Sequence, residues 1–232
     1  MKINNDNTIN QYENISEYEV SIMPKRRIFD EDKSIPGETV VCIDPGLQGG
    51  ISVIQRSPYK NRFILLEYVP MPLCYVSANK CKKTLRIDDK EVLKVLQRFS
   101  KYTNKMVVEF QKGYKGQDAD SAYQLGMYTE ILKACAIFLE YKFCWVLPGV
   151  WKEGLDIKAK RHFNERYSKK YSEGFGKYVY NEVSKYIDDL GLEESFKTLD
   201  KYNNKYEISD GILESILIGV FALKKGLTYT IF

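Results

Sequence analysis

The most constraining feature of the sequence is residues 38–54, ETVVCIDPGLQGGISVI, where two apolar runs flank an acid and several glycines. The first run ends in Asp44, and Pro45 and Gly46 follow it before the second run begins. Proline cannot extend a central strand and glycine adopts the backbone angles of tight turns, so the segment predicts a β-hairpin. Asp44 would then close a buried strand, where a charge is costly unless it is paired or holds a metal ion.

Two other interpretations of this segment compete with a functional acid. Glycine-rich loops after a strand cradle phosphate in nucleotide-binding folds, but those loops lead into a helix, whereas this one leads into a second strand. Phosphate binding is therefore disfavoured here. The other interpretation, that Asp44 only initiates a turn, is as common as a functional role and stays open on this segment alone.

Length and composition indicate one globular domain. Of the 232 residues, 44% are hydrophobic and 28% are charged, which is enough for a single core. Residues 1–37 are polar and are expected to form an N-terminal extension outside a domain of residues 38–232. Five cysteines without a CxxC pair indicate reduced thiols in an intracellular protein. Because no apolar run approaches a membrane span and no signal pattern opens the chain, we expect a soluble protein that is not secreted and has no membrane partner.

The order of apolar runs predicts an α/β fold built on a mixed sheet. Residues 62–69 form a third strand candidate, so the first three strands make an antiparallel meander. After a helix candidate, the run at residues 106–108 ends in Glu109, which repeats the pattern of Asp44. A helix of about residues 118–140 and another strand follow, and this alternation makes the second half of the sheet parallel, with helices flanking it.

A late amphipathic helix adds two more acids. Residues 208–223 read ISDGILESILIGVFAL, and Asp210 and Glu214 are four apart, so both carboxylates lie on one helical face. With Asp44 and Glu109 this makes four carboxylates, and the chain has one histidine, which argues against a zinc site and a serine-type triad. Carboxylates suit magnesium ions that activate a water and stabilise the leaving oxygen of a phosphodiester. Each acid taken alone is also explained as a helix cap or a strand-end residue.

A basic and aromatic insertion at about residues 156–206 separates the last strand from this helix. Between residues 142 and 185 there are ten basic residues and five acidic ones. Interleaved aromatic residues favour a nucleic-acid surface, with a solvated helical hairpin backed by aromatic side chains as the alternative. The aromatic residues are Phe163, Tyr167, Tyr171, Phe175, Tyr178 and Tyr180.

Five motifs occur in a characteristic order: the hairpin IDPGLQGGISVI, the strand VVEF, the helix opening DADSAYQLG, the loop LPGVWK and the helix opening DGILESILIG. This ordered set, over about residues 40–155 and 207–223, resembles the RuvC-type Holliday-junction resolvases, most closely their phage and viral branch. The resemblance implies an RNase H-like fold, a homodimer, and magnesium-dependent incision of four-way DNA junctions, with manganese as a substitute ion.

Carried over by position, Asp44, Glu109, Asp210 and Glu214 become the catalytic metal ligands, and Lys152 becomes a phosphate contact. The acids of the last helix are four apart here and three apart in the bacterial enzymes, which leaves open whether Asp210 or Glu214 is the principal ligand. The expected DNA contacts are six basic residues and one tryptophan: Lys112, Lys115, Trp151, Lys152, Lys158, Lys160 and Arg161.

The sequence thus predicts a crossover junction endodeoxyribonuclease that makes paired nicks during recombination, replication and repair, in the host cytoplasm if the source is a phage or virus. A nuclease of the same fold acting on other branched DNA, and a non-catalytic DNA-binding module, are the alternatives. A relative of actin and the sugar kinases would need a longer chain and an adenosine-binding motif. The helix at 118–140 is a candidate dimer element, although burial under the insertion would explain its large side chains equally well: Tyr123, Met127, Tyr128 and Phe138.

Overall fold

The computed structural model describes residues 37–58, 61–79, 82–111, 113, 119–158, 174–187, 190–191, 193–199 and 206–228. The predicted N-terminal extension lies outside these ranges, apart from its last residue. So do four of the predicted DNA contacts and three of the predicted surface aromatics: Lys112, Lys115, Lys160, Arg161, Phe163, Tyr167 and Tyr171.

A five-stranded mixed sheet forms the centre of the domain. Its strands, numbered in chain order, are β1 (Thr39–Asp44), β2 (Gly50–Arg56), β3 (Phe63–Pro70), β6 (Lys105–Glu109) and β7 (Lys142–Val146). The spatial order is β3-β2-β1-β6-β7. The first three strands pair antiparallel, and β6 and β7 continue parallel to β1. The predicted antiparallel-then-parallel α/β sheet is therefore confirmed, and its strand order is that of an RNase H-like fold.

Helices cover both faces of the sheet because the residues of its central strands alternate between two cores. Val40 and Cys42 of β1 face one core, and Val41 and Ile43 face the other. The first core contains α3 (Pro148–Gly154), α4 (Gly174–Ser184) and α5 (Asp210–Lys225), and the second contains α1 (Asp89–Phe99) and α2 (Ala119–Phe138). Helix α5, buried along most of its length, packs directly across β1 and β2.

A second, two-stranded sheet lies between β3 and α1, where the pattern of the sequence predicts no strands. It consists of β4 (Leu73–Asn79) and β5 (Lys82–Ile87), paired antiparallel. The two strands contact chiefly each other, so they form a hairpin that is separate from the central sheet.

The described part of the insertion contributes to the core, so Phe175 and Tyr178 do not belong to the predicted nucleic-acid surface, whose remaining residues stay a prediction. Phe175 and Tyr178 of α4 are buried against α5, together with Phe196 from a short 3₁₀ helix, Glu193–Phe196. Tyr180 is half-buried, packs edge-on against Phe196, and donates its hydroxyl hydrogen to the Gly191 carbonyl at 2.6 Å. Strands β8 (Lys197–Leu199) and β9 (Tyr206–Ile208) then lead into α5. The aromatic side chains stabilise the fold here, as the alternative interpretation expected, because they cover the face of α5 that the sheet leaves free.

Within the described ranges, none of the helices is both long enough and apolar enough to cross a membrane. Among the described cysteines, Cys42 and Cys135 are buried free thiols, and Cys74 and Cys144 are half-buried free thiols.

Candidate active site

Asp44 lies at the carboxyl end of β1, at the edge of the sheet where the glycine-rich hairpin turns back. The residue is only 7% exposed, and the backbone N–H of Gly46 donates to its Oδ1 at 3.3 Å. Gly50 stands opposite Asp44 in the antiparallel pair, so the hairpin begins immediately beyond the acid. The predicted position of Asp44 at the end of a buried strand is confirmed.

Glu109 ends the neighbouring parallel strand at the same edge. Val108 pairs with Ile43, which brings the next residue of each strand, Glu109 and Asp44, side by side. Glu109 is 4% exposed. The side-chain amide of Gln111 donates both to Asp44 Oδ1 and to Glu109 Oε1, each at 3.3 Å. Gln111 was missed from the sequence; its signal is an amide two residues beyond a strand-end acid, which is weak by itself.

The start of α5 is held against the hairpin by glycines. Gly211 forms an isolated backbone bridge with Gly49, and a Cβ on Gly211 would lie 2.1 Å from the carbonyl oxygen of Gln48. A Cβ on Gly50 would lie 2.7 Å from the Cα of Ile212. Side chains at these positions would push the two segments apart, so the glycines allow the helix that carries two acids to approach Asp44.

Two serines fix the position of this helix further. Ser209 caps α5, because its Oγ accepts the backbone N–H of Ile212 at 3.3 Å. Nearly two turns later, the buried Ser215 hydroxyl donates to the Ile212 carbonyl at 2.7 Å and lies 3.1 Å from the Ser52 hydroxyl of β2, which can donate to it. Ser215 follows Glu214 directly, so this contact fixes the height of Glu214 above the sheet.

Helix α3 supplies two side chains that each contact one of the acids. Lys152 Nζ lies 2.7 Å from Glu214 Oε1, with the two side chains 17% and 12% exposed. Trp151 donates its indole N–H to Glu109 Oε2 at 2.7 Å and is completely buried. The expectation that Trp151 contacts DNA is therefore wrong, since the indole lies beneath the acids and has no surface to offer a ligand.

The electrostatics of the site reflect several carboxylates and one ammonium in a buried space. Burial, followed by the charges of Glu109 and Glu214, raises the pKa of Asp44 well above its ordinary value, although Gly46 and Lys152 partly oppose this. Burial likewise raises the pKa of Glu214 to about 7, against the lowering effect of Lys152. Burial would lower the pKa of the Lys152 ammonium, but Glu214, Glu109 and Asp44 together raise it. The site therefore favours additional positive charge.

The remaining predicted residues are placed differently. Asp210, at the first turn of α5, is half-buried, and its charge helps to raise the pKa of Glu214. Lys158 lies at the surface, where its ammonium is 3.0 Å from Asp156 Oδ1, and its backbone N–H donates to the hydroxyl of Tyr178. Its contact with DNA stays a prediction.

The donor set fits a hard divalent cation, although it is not arranged around one. In the part of the chain that the structure describes, no group of three acidic, histidine or cysteine side chains forms a ready metal site. Lys152 donates to one carboxylate oxygen of Glu214, and Trp151 donates to one of Glu109. All candidate ligand atoms are carboxylate oxygens, which magnesium and manganese prefer over nitrogen or sulfur. A cation would have to replace the Lys152 ammonium as the partner of Glu214.

The fold and the site together define a class: an RNase H-like domain with a cluster of acids where its central parallel strands end. No protein-family model matches the chain, and no curated protein matches its sequence. Among solved structures, the chain is similar to RuvC of Thermus thermophilus, with 18% identity, a TM-score of 0.48, and coverage of 84% of this chain and 100% of that one. The same protein in complex with a Holliday junction substrate gives 18% identity, a TM-score of 0.46, and coverage of 84% and 99%.

The fowlpox virus resolvase, in complex with substrate Holliday junction DNA, is similar at 16% identity and a TM-score of 0.40, covering 80% of this chain and 99% of that one. These structures are of the same class of protein that the sequence motifs resemble. At such identities the likeness concerns the fold alone, and the chemistry of this chain depends on its own residues.

Proposed function

We propose that this protein is a Holliday-junction resolvase, a magnesium-dependent endonuclease that makes paired nicks in four-way DNA junctions during recombination or replication. The observation that carries the proposal is the close grouping of the buried Asp44 and Glu109 with the largely covered Glu214 at one edge of the sheet. Such a group of like charges weakens the folded state unless cations neutralise it. Perturbed acids that share one site are typical of catalytic centres, and oxygen ligands without histidine point to phosphoryl chemistry.

Asp44, Glu109, Asp210 and Glu214 would hold magnesium, or manganese in its place. The bound ions would activate a water molecule and stabilise the leaving oxygen of the phosphodiester. Glu214 is the principal ligand of the last helix in this proposal, since it interacts directly with the charges of Asp44 and Glu109, while Asp210 acts on Glu214.

The other residues of the site orient the acids and receive the substrate. Trp151 and Gln111 restrain Glu109, the first through one carboxylate oxygen and the second through the other. Lys152 balances the charge of Glu214 in their ion pair, and its ammonium would contact a phosphate oxygen of the DNA if bound cations neutralised Glu214 instead.

A homodimer is part of the proposal because one site per chain cannot deliver two opposed nicks. Helix α2 offers a surface for it: Tyr123, Ile137 and Phe138 are exposed, whereas Tyr128 is buried and Met127 packs against the core. Large apolar side chains that are exposed together on one helix are typical of a protein–protein contact surface. Two copies joined along α2 would present two identical sites to symmetry-related strands.

The test is cleavage of a synthetic four-way junction by the purified full-length chain. We expect symmetric paired nicks when magnesium is added, no cleavage of the linear duplex arms, and no cleavage in EDTA. Equal cleavage of three-way junctions and flaps would assign the chain to a nuclease for branched DNA in general. Tight junction binding without cleavage in magnesium or manganese would make it a non-catalytic binding module.

The contact of Trp151 with Glu109 yields a prediction about the metal ions. Trp151→Phe keeps most of the buried ring but removes the N–H donor, so Glu109 should lose its fixed orientation. We expect metal affinity and cleavage each to fall by about 10- to 100-fold, as is usual when a residue behind a metal ligand is lost. Isothermal titration with manganese and single-turnover cleavage measure the two effects.

Trp145→Phe is the matched control, because Trp145 packs edge-on against Phe110 and Phe143 and neither of those rings belongs to the site. It also leaves Trp151 as the sole tryptophan of the chain. The fluorescence of this control should change on addition of manganese. Wild-type metal affinity in Trp151→Phe would mean that the indole only fills space.

A further inference from the structure

The hairpin of β4 and β5 leaves the central sheet at the same edge as the acids. Strand β3 ends at Pro70, which pairs with Gly50, and Gly50 in turn pairs with Asp44. Strand β4 begins three residues after Pro70. Because neighbouring strands are about 4.8 Å apart, the base of the hairpin lies roughly 10 Å from the strand that carries Asp44.

The base of the hairpin is held by backbone hydrogen bonds, and the first residues of β4 beside it are exposed. The backbone N–H of Met71 donates to the Gly49 carbonyl at 3.0 Å, and that of Asp88 donates to the Pro72 carbonyl at 2.9 Å. In the first half of β4, Tyr75 is 57% exposed, and Leu73 and Val76 are exposed as well. A two-stranded hairpin is marginally stable alone, so large uncovered side chains on it indicate a surface that meets a partner.

The charge of the hairpin identifies the kind of partner. Residues 73–87 contain four basic residues and no acidic one. The nearest acids beyond its end, Asp88 and Asp89, start α1, where Asp88 caps the helix by accepting the N–H of Glu91. A positively charged hairpin with an exposed tyrosine suits a polyanion with stacked rings, and it would repel the same hairpin of a second copy.

We propose that the β4–β5 hairpin is a second DNA-contacting element that holds one arm of the substrate beside the acidic site. Its lysines would contact phosphates, and Tyr75 would pack on a sugar or a base. A two-stranded ribbon is narrow enough to enter the major groove of a duplex. This inference rests on the proposed nuclease function and adds to it an element that would hold the DNA beside the acidic site.

The experiment separates the hairpin from catalysis by measuring binding alone. The full-length chain with Asp44→Asn, which should bind without cutting, is compared with the same chain carrying also Lys82→Gln and Lys83→Gln, or Tyr75→Ala. Binding of a labelled four-way junction is followed by fluorescence anisotropy over a series of salt concentrations. Lys224→Gln with Lys225→Gln is the matched control, since both lysines are exposed at the other end of α5, about 20 Å along the helix from Asp210.

We expect the lysine variant to bind at least tenfold more weakly at low salt, with a log-log salt slope reduced by about 0.9 for each lost phosphate contact. Tyr75→Ala should weaken binding by about fivefold or more with the slope unchanged, and Tyr75→Phe should restore it. The control pair should behave as the parent does.

Unchanged affinity and slope in both hairpin variants, in a chain that binds the junction, would overturn the hairpin proposal and leave the nuclease proposal standing. A parent chain that does not bind four-way junctions at all would overturn both. A variant that shifts the monomer–dimer equilibrium in sedimentation, with its salt slope unchanged, would assign the hairpin to contact between copies and would also overturn the proposal.

Discussion

Replacing Asp44 by asparagine is expected to abolish junction cleavage while junction binding persists. The side chain keeps its shape but loses the charge of a carboxylate that lies beside Glu109 and is restrained by Gly46 and Gln111. Asp44→Asn would remove a metal ligand, whereas Trp151→Phe would only remove a residue behind one. The loss of single-turnover rate in Asp44→Asn should therefore exceed the roughly 10- to 100-fold expected for Trp151→Phe. Asp156→Asn is the control, since Asp156 is exposed and pairs with Lys158 at the surface.

The same substitution should stabilise the metal-free protein. Burial and the charges of Glu109 and Glu214 raise the pKa of Asp44, so this residue destabilises the folded state. The cost is absent below the ordinary pKa of an aspartate, grows as pH rises from there to the raised pKa, and is constant above it. In EDTA at pH 8, Asp44→Asn should therefore unfold at a higher urea concentration than the wild type. The difference between the two unfolding midpoints should become smaller as pH falls.

Magnesium should reverse this order, because a ligand that binds only the folded state stabilises it in proportion to its affinity. The urea concentration at which the wild type unfolds should rise on addition of magnesium, and that of Asp44→Asn should rise much less. Full cleavage activity in Asp44→Asn, or a metal-free wild type that is more stable than the variant at pH 8, would contradict the assignment of these acids as metal ligands.

The positions of the first two acids were predictable because they follow from rules of strand geometry. Each of Asp44 and Glu109 closes a short apolar run, and the carboxyl ends of neighbouring parallel strands meet at one edge of a sheet. Glu214 was predictable only as a candidate, since the helical spacing puts it on one face with Asp210 without saying which of them reaches the sheet. The contacts of Gly211 with Gly49 and of Ser215 with Ser52 determine which of the two acids reaches the sheet. Each of these contacts joins residues more than 150 positions apart in the sequence, so local spacing cannot predict it.

The errors have a common physical cause: aromatic side chains suit either a core or a nucleic-acid surface, and sequence spacing does not distinguish the two. Trp151 is next to a lysine in a loop-like motif, yet the short helix α3 turns the indole inward to Glu109 and the ammonium toward Glu214. Phe175 and Tyr178 were expected at a surface because many lysines surround them in sequence. Long basic side chains reach solvent from the edges of a buried helix face, so local charge says little about neighbouring rings.

Gly211→Ala tests whether the approach of α5 to the hairpin positions the acids. A Cβ on Gly211 would lie 2.1 Å from the Gln48 carbonyl oxygen and 2.6 Å from the Cα of Gly49, and both are backbone atoms that cannot rotate away. The start of the helix must then move outward and carry Asp210 and Glu214 with it. Misplacement of a catalytic group by about 1 Å costs on the order of 100-fold in rate, so we expect a loss of that size, together with weaker manganese binding.

Gly126→Ala is the matched control, because Gly126 is also a glycine inside a helix but no atom lies near the position of its Cβ. Alanine favours a helix over glycine by about 1 kcal/mol, so the control should be as stable as the wild type or more so, with unchanged manganese binding. Circular dichroism of Gly211→Ala should show the helix content of the wild type, since most of α5 stays anchored through its buried apolar side chains. If Gly211→Ala instead cleaves and binds manganese like the wild type, the glycine contact does not set the site, and the Ser215–Ser52 hydrogen bond one turn further along must hold Glu214 in place by itself.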